Sequence, residues 1–202
     1  MKFICIGRNY AEHALELGNE IPEIPVIFLK PDTALFRNGT QYYIPEFTQD
    51  LHYELEIVVK ICKNGKYVLE RNAHNHYQEI ALGIDFTARD LQSDLKKKGL
   101  PWELSKAFDN SAVVSEFFPK EDFDLKNLNF SLQKNGEIVQ DGNSSQMMYT
   151  PDQILAFVSQ YFTLKKGDLI FTGTPKGVGK VTESDELKAF LESKEVLKLK
   201  IN

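Results

Sequence analysis

The sequence predicts a mostly β protein with a few helices. Runs of alternating or β-branched residues recur along the chain, and turn signals such as Lys63-Asn-Gly-Lys66 and Lys165-Lys-Gly-Asp168 separate many of them. Asn135-Gly136 stands between two such runs and is a strong signal for a two-residue hairpin loop. Helical periodicity is limited to a few segments, so strands are expected to form most of the fold.

Each predicted strand is a short run rich in aliphatic or β-branched residues. In chain order the runs are Lys2–Ile6, Val26–Leu29, Glu54–Ile61, Ala112–Val114, Leu128–Lys134, Glu137–Gln140, Asp168–Thr172 and Val196–Ile201. The predicted helices are Ala11–Leu17, Asn75–Ile80, Arg89–Lys98 and Thr150–Phe162. The last is the clearest, because Thr150 can cap it, Pro151 fits its first turn and four apolar residues form one face.

Size and charge fit a single enzyme-like domain that spans residues 1–202. A chain of this length buries roughly 70% of its unfolded surface. The net charge of −5 and the interspersed lysines and glutamates leave no basic stripe, so no nucleic-acid partner is expected. No apolar run reaches membrane-spanning length, and the apolar start is too short for a signal peptide. Cys5 and Cys62 lie in strand-like contexts typical of buried thiols, and the expectation is a cytoplasmic protein without a membrane partner.

The pattern Glu54-Leu-Glu56 inside a strand-like run is the strongest chemical signal in the chain. Residues two apart in a strand point to the same face, so both glutamates project together. Two adjacent carboxylates repel, and a hard divalent cation relieves that cost while leaving positions for water or substrate. Asp85, after an apolar stretch, can supply a third oxygen ligand. The plain alternative is a solvated strand face that carries two glutamates.

His13 and Glu16 are three residues apart in a segment typical of a short helix that Asn9 opens and Gly18 ends. Both side chains then share one helical face, where the carboxylate can orient the imidazole and stabilise its protonated form. This geometry suits a general base. An ordinary exposed pair at this spacing is the alternative.

Seven short strings carry a resemblance to a known family. They are Ile6-Gly-Arg-Asn-Tyr-Ala-Glu-His13, Phe28-Leu-Lys-Pro31, His52-Tyr-Glu-Leu-Glu56, Asp85-Phe-Thr-Ala-Arg-Asp90, Lys97-Lys-Gly-Leu-Pro-Trp102, Ser105-Lys-Ala-Phe108 and Thr172-Gly-Thr-Pro-Lys-Gly-Val-Gly179. In order and spacing they resemble the fumarylacetoacetate hydrolase family, and within it the compact acylpyruvate hydrolase and oxaloacetate decarboxylase type enzymes. The resemblance implies the mixed β-sandwich roll of the fumarylacetoacetate hydrolase C-terminal domain, and a homodimer.

The resemblance also implies roles for individual residues. His13 and Glu16 match a dyad on a lid helix, here at about residues 10–20, and Lys106 matches the active-site lysine of the family. Thr174 and nearby backbone amides match the site that receives the α-carboxylate of a keto acid, although the same string also reads as a glycine-rich turn. Arg89 and Gln92 either bind substrate or fix the loop that carries Asp85.

The expected reaction is hydrolysis of a carbon–carbon bond in an acylpyruvate, a small 2-oxo acid. Mg²⁺ or Mn²⁺ on Glu54, Glu56 and Asp85 would orient the substrate, and His13 would activate water. Lys106 would stabilise the departing negative charge. Decarboxylation or tautomerisation of oxaloacetate, or isomerisation of 2-hydroxyhepta-2,4-diene-1,7-dioate, are the alternative reactions because they share the same electron sink.

Other functions have weaker support in the sequence. The glycine-rich string Gly173–Val181 lacks the spacing of a phosphate-binding loop, and no zinc-ligand motif is present. A ligand-binding protein with an inactive site is the alternative from a different class. The presence of all three carboxylates together with both dyad residues argues against it.

Overall fold

A seven-stranded sheet forms the centre of the molecule. The computed structural model describes residues 1–16, 18, 20–36 and 39–202. The order of strands across this sheet is β2 (Val26–Lys30), β1 (Phe3–Gly7), β12 (Leu169–Phe171), β5 (Leu55–Ile61), β6 (Tyr77–Asp85) and β8 (Ala112–Val114), with β9 (Phe118–Pro119) also paired to β6. The β1–β12 pair is parallel and its neighbours are antiparallel, so the sheet is mixed.

Two smaller sheets complete the β structure of the described residues. The order in the five-stranded sheet is β11 (Glu137–Asn143), β10 (Asn129–Lys134), β14 (Glu186–Leu191), β15 (Lys194–Ile201) and β3 (Gln41–Tyr42). The order in the three-stranded sheet is β13 (Gly179–Lys180), β4 (Leu51–Tyr53) and β7 (Thr87–Ala88). The predicted hairpin joins β10 to β11, and positive φ angles of 55° at Asn135 and 86° at Gly136 give its two-residue turn.

The helices are short and lie around the sheets. They are α1 (Ala11–Glu16), α2 (Glu70–Ala73), α3 (Arg89–Lys97), α4 (Glu103–Lys106) and α5 (Pro151–Tyr161), with 3₁₀ turns at Asp32–Ala34, Lys120–Asp122 and Ser144–Gln146. The predicted cap of α5 is confirmed, because the Thr150 hydroxyl accepts from the backbone N–H of Gln153 at 3.3 Å. No helix in the described residues is both long and apolar enough to cross a membrane.

The two faces of the central sheet bury different side chains. Leu55, Ile57 and Val59 of β5 belong to the large core that also contains residues of the five-stranded sheet and α5. The alternate residue Val58 belongs to a smaller cluster with Cys5 and others on the opposite face. This alternation places the Glu56 side chain on the face of the smaller cluster. The prediction of a mainly β fold with some helix is confirmed.

One predicted helix is wrong. Asn75–Ile80 was expected to be helical, but the strand β6 begins at Tyr77, and the helix in this region is α2, at Glu70–Ala73. Six consecutive residues of β6, from Ile80 to Asp85, are buried, because both faces of a central strand are covered. In the predicted segment the buried residues Tyr77 and Ile80 are three positions apart, a spacing that also fits one face of a helix.

The helix predicted near residues 10–20 is present, and its role as a lid stays a prediction. Helix α1 covers Ala11–Glu16, and Gly18 follows in a turn with a φ angle of 65°. Leu17 and Asn19, which belong to the predicted segment, lie outside the described residues. The strand β14 was missed, although its residues alternate between buried and half-buried positions as in an ordinary strand with one covered face.

Replacing Gly83 with alanine is expected to destabilise the fold by about 1–3 kcal/mol. Gly83 pairs with Glu56 across the β5–β6 ladder, and an added Cβ would lie 2.7 Å from Cε1 of Phe171 and 2.8 Å from Cγ2 of Val58. Urea unfolding measures the loss of unfolding free energy. Gly7→Ala is the matched control, because its Cβ would meet no atom closer than 3.8 Å, and an equal loss in both variants would contradict the packing argument.

Candidate active site

Three buried carboxylates meet at the end of the β5–β6 pair. Glu56 of β5 lies opposite Gly83 of β6, so Asp85, two residues further along β6, projects from the same face of the sheet. Glu54 immediately precedes β5 and shares that face. The exposed fractions of Glu54, Glu56 and Asp85 are 5%, 2% and 0%, and one oxygen of each lies within 4.8 Å of the others. The structure therefore brings the three predicted metal ligands together.

The Lys106 ammonium bridges two of these carboxylates. Its Nζ lies 2.7 Å from Oε2 of Glu54, 2.7 Å from Oδ2 of Asp85 and 2.5 Å from the hydroxyl oxygen of Thr87. Burial disfavours the charged ammonium, but Asp85 and Glu54 outweigh it and raise the pKa of Lys106. All three ammonium hydrogens are used by these contacts, so Lys106 must exchange one of them to touch a substrate.

Arg89 and Lys30 hold the outer oxygens of the same two carboxylates. The Arg89 guanidinium donates to Oε1 of Glu54, and Nζ of Lys30 lies 2.7 Å from Oδ1 of Asp85. Burial alone would raise the pKa of Glu54, but the charges of Lys106 and Arg89 hold it well below its usual range. Glu54 therefore remains ionised, and its position is fixed from two sides.

Glu56 differs from its neighbours because no cation of the described residues lies within ion-pair distance of it. Its Oε2 accepts a hydrogen bond from the backbone N–H of Gly173 at 2.6 Å. Burial, and then the charges of Asp85 and Glu54, raise the pKa of Glu56 well above its usual range. The cluster is therefore electrostatically unbalanced on this side, and a cation beside Glu56 would relieve the repulsion.

The donor set fits a hard divalent cation. Mg²⁺ takes oxygen ligands at about 2.1 Å, so its ligands lie at most about 4.2 Å apart. The three carboxylate oxygens all lie within 4.8 Å of one another, so the cluster needs at most a small contraction. The contacts of Lys106 do not exclude such an ion, because each carboxylate oxygen has two lone pairs. The buried acidic cluster is thus a candidate metal site that Glu54, Glu56 and Asp85 would form.

Helix α1 places His13 over this cluster. His13 is buried and lines the same cleft as Glu54 and Glu56. Its Nδ1 lies 3.3 Å from Oε2 of Glu16, and the carboxylate requires a proton on Nδ1, which leaves Nε2 as the basic nitrogen. Burial lowers the pKa of His13, although Glu54 and Glu16 act in the opposite direction. The imidazole is therefore neutral at neutral pH and able to accept a proton.

Glu16 also connects α1 to the Thr172–Gly179 string. Its carboxylate accepts the backbone N–H of Gly177, at 3.0 Å to Oε1 and 3.2 Å to Oε2. Gly177 has a φ angle of 93°, and a Cβ at this position would lie 2.1 Å from the carbonyl oxygen of Val139. Only glycine fits this turn. The predicted dyad therefore has a second function, which is to hold the helix against the turn.

Asn9 anchors the start of this helix in a way that the sequence did not predict. Its amide donates to the carbonyl oxygens of Tyr149 and Thr172 at 2.9 and 2.8 Å, and its side-chain oxygen accepts from the Tyr149 N–H at 2.8 Å. The prediction that Asn9 opens the helix is wrong, since α1 begins at Ala11 and the Asn9 side chain is fully used by these distant backbone groups.

The three predicted substrate-binding residues all line the cleft. Arg89 donates to Oε1 of Gln92 at 2.6 Å as well as to Glu54, so it fixes the carboxylate cluster and faces the cleft at the same time. The Thr174 hydroxyl accepts from the Gln140 amide at 2.8 Å. The space left in the cleft is about 30 Å³, which is room for about two water molecules. Contacts of these residues with a substrate stay predictions.

Sequence reasoning assigned no role to three further cations. Lys30 is fully buried, and besides Asp85 it contacts the Ser111 hydroxyl at 2.9 Å and the Lys106 carbonyl oxygen. A lysine at the end of the apolar run Val26–Leu29 was a signal that could have identified it. Arg8 and Lys96 line the cleft, and each lies within or beside one of the family-like strings.

The fold and the site together define the class of protein. Residues 2–202 match the family model described as fumarylacetoacetate (FAA) hydrolase C-terminal, and the chain belongs to this family. It is therefore an enzyme of the fumarylacetoacetate hydrolase family, as the sequence strings predicted.

Several relatives of this chain are named for reactions of 2-oxo acids. The chain is 45% identical over 199 residues to bovine mitochondrial oxaloacetate tautomerase FAHD1, covering 98% of this chain and 90% of the relative. It is 40% identical over 188 residues to the Escherichia coli oxaloacetate tautomerase YcgM, covering 92% and 86%. Fumarylpyruvate hydrolase from Pseudomonas aeruginosa, solved with Mn²⁺ and pyruvate, superposes with a TM-score of 0.94 at 34% identity, covering 100% of this chain and 89% of that chain.

Proposed function

We propose that this chain catalyses keto–enol tautomerisation of oxaloacetate with Mg²⁺ or Mn²⁺ as cofactor. The bovine and Escherichia coli relatives, at 45% and 40% identity, both bear the name oxaloacetate tautomerase. Their names favour oxaloacetate tautomerisation, one of the alternative reactions considered from the sequence, over acylpyruvate hydrolysis. Glu54, Glu56 and Asp85 would hold the divalent ion. The ion would supply Lewis-acid polarisation of the 2-oxo group, which acidifies the neighbouring C–H bonds.

The observation that carries the proposal is a single neutral imidazole above the acidic cluster. Tautomerisation moves one proton between C3 and the 2-oxo oxygen, and it needs one base of moderate pKa in the cleft. Nε2 of His13 accepts the C3 proton, and Glu16 stabilises the resulting imidazolium through its contact with Nδ1. Nε2–H then donates that proton to the 2-oxo oxygen, which completes the enol, and the same two transfers in reverse convert the enol to the keto form.

The cations of the cleft stabilise charge that develops on the substrate. When C3 loses its proton, negative charge moves to the 2-oxo oxygen, near the Lys106 ammonium and the Arg89 guanidinium. Thr174, with nearby backbone N–H groups, receives the α-carboxylate. Gln140 positions the Thr174 hydroxyl in advance, and Glu54 positions the Arg89 guanidinium, so little reorganisation accompanies the proton transfer.

Hydrolysis of an acylpyruvate is the second candidate, because the Pseudomonas fumarylpyruvate hydrolase shares this fold. In that reaction His13 would take its proton from water instead of from C3.

A direct comparison of substrates tests the proposal. The purified protein, supplied with Mg²⁺, is given oxaloacetate enriched in one tautomer, and the decay of enol absorbance is followed together with release of pyruvate and CO₂. The expected result is rapid loss of the tautomer excess at constant total oxaloacetate. Parallel incubations with acetylpyruvate and fumarylpyruvate follow pyruvate release, and faster turnover of either one would support hydrolysis instead.

A further inference from the structure

Two cations at the cleft have no counter-ion among the described residues. Arg8 and Lys96 both line the cleft that contains the acidic cluster. Arg89, Lys106 and Lys30 each contact a carboxylate of the cluster, whereas no carboxylate of the described residues lies within ion-pair distance of Arg8 or Lys96. The positive charges of this second pair are therefore available to an anion.

The backbone holds Arg8 in an unusual conformation. Its φ angle of 61° lies in the left-handed region, where a residue with a branched or long side chain is strained. On one side Gly7 ends β1, and on the other the Asn9 side chain is fixed by three hydrogen bonds. The neighbours of Arg8 on both sides are thus held in place, and its side chain lines the cleft. The buried Nε of Arg8 has no hydrogen-bond partner among the described residues.

Lys96 lies on α3 against an aromatic wall. Its ammonium is 5.2 Å from the centre of the Trp102 ring, the Trp102 and Phe28 rings are 6.2 Å apart, and the Lys106 ammonium is 5.1 Å from the Phe28 ring. Lys96, Trp102, Phe28 and Lys106 therefore line one continuous side of the cleft.

The surroundings of Lys96 are predominantly positive. Burial lowers the pKa of the Lys96 ammonium to about 8, and the charges of Arg89, Arg8 and Lys106 act in the same direction, against Glu54. Crowding of like charges around a half-buried ammonium costs stability unless an anion joins them. An arrangement that is unfavourable without a ligand and favourable with one is typical of a binding site.

We propose that Arg8 and Lys96 form a second carboxylate subsite, which makes the enzyme select 2-oxo acids with a carboxylate at each end. The proposal deepens the function proposed above and rests on it. The α-carboxylate and 2-oxo group occupy the end with Thr174 and the acidic cluster. The distal carboxylate then lies beside Arg8 and Lys96, where the planar guanidinium binds two oxygens and the ammonium neutralises the charge.

Substrates with and without the second charge test this selection. Oxaloacetate and its 4-ethyl ester both enolise by loss of a C3 proton, but only the free acid carries two carboxylates. Lys96→Gln and Arg8→Gln are expected to raise the KM for oxaloacetate about tenfold or more, with the KM for the ester unchanged. Lys96→Arg keeps the charge and restores the KM. Lys97→Gln is the matched control, because Lys97 is exposed on the same helix and contacts only Asp94 at 4.0 Å.

Binding of unreactive ligands separates failure of this proposal from failure of the proposed function. L-Malate and L-2-hydroxybutyrate differ only in that a methyl group replaces the second carboxylate. Calorimetry with Mg²⁺ present is expected to show tighter malate binding to the wild type, and a loss of that difference in Lys96→Gln. This result supports the subsite even if oxaloacetate is not turned over. The subsite proposal would be overturned if Lys96→Gln changed the KM of oxaloacetate and of its ester equally, and the affinities for malate and 2-hydroxybutyrate equally. No change in any of these values would overturn it as well.

Discussion

Replacing Glu56 with glutamine is expected to abolish divalent-ion binding and to lower tautomerase activity by at least about 10³-fold. Glu56 is the carboxylate of the cluster that no described cation contacts, so its charge is the most available to an ion. Glutamine keeps the hydrogen bond from Gly173 because its amide oxygen accepts the same N–H. Titration calorimetry with Mg²⁺ measures the loss of binding, and oxaloacetate tautomerisation measures the loss of rate.

The same substitution is expected to act in the opposite direction on stability when a chelator is present. A carboxyl group whose pKa is raised in the folded chain binds more protons there than in the unfolded chain, so it lowers stability as pH rises above the unfolded value, near 4.5. At pH 7 the Glu56 charge therefore costs stability, and glutamine removes that cost. In EDTA the Tm of Glu56→Gln exceeds that of the wild type, whereas Mg²⁺ raises the Tm of the wild type alone.

A surface glutamate on the neighbouring strand provides the control. Glu79 of β6 is half-exposed and pairs with Lys60, so Glu79→Gln removes a charge without touching the cluster. Its Tm is expected to respond to Mg²⁺ as the wild type does. Unchanged Mg²⁺ affinity in Glu56→Gln would show that the acidic cluster is not the metal site.

The parts of the site that depend on local periodicity were readable from the sequence. Glu54 and Glu56 share a face because strand residues alternate, and the β5–β6 register then places Asp85 beside them. The hairpin at Asn135-Gly136 and the capped helix after Thr150 follow equally from local chemistry. These features need only the residues of one short segment or of two adjacent strands.

Contacts between distant segments were not readable from the residues alone. Lys30 neutralises Asp85 across 55 positions of sequence, and Asn9 bonds to backbone groups of Tyr149 and Thr172, more than 130 positions away. Family resemblance marked the strings that contain Lys30 and Asn9, but it assigned them no partners. Tertiary contacts of this kind also override local preference, as at the start of β6, where Tyr77 and Ile80 have a helix-like spacing but pair in a strand.

Replacing His13 with asparagine is expected to lower the rate of tautomerisation by about 10²–10⁴-fold while Mg²⁺ binding is retained. Asparagine keeps a polar group of similar shape but has no basic nitrogen, so the C3 proton has no acceptor above the cluster. His13 is not a member of the acidic cluster, and calorimetry should therefore give an unchanged Mg²⁺ affinity. His74→Asn is the control, because His74 is exposed and lies outside the cleft. Full activity in His13→Asn would remove the histidine from the mechanism.

The pH dependence of the rate distinguishes a general base from a residue that only shapes the cleft. Burial lowers the pKa of His13, so the wild-type kcat/KM is expected to fall by half only at a pH below the ordinary histidine value of 6.5. Glu16 raises that pKa through its hydrogen bond and its charge. Glu16→Gln keeps an acceptor for Gly177 but removes the charge, so the acid limb of the profile should move to still lower pH. A shift to higher pH would contradict the assignment, because loss of a neighbouring carboxylate cannot make the imidazole easier to protonate.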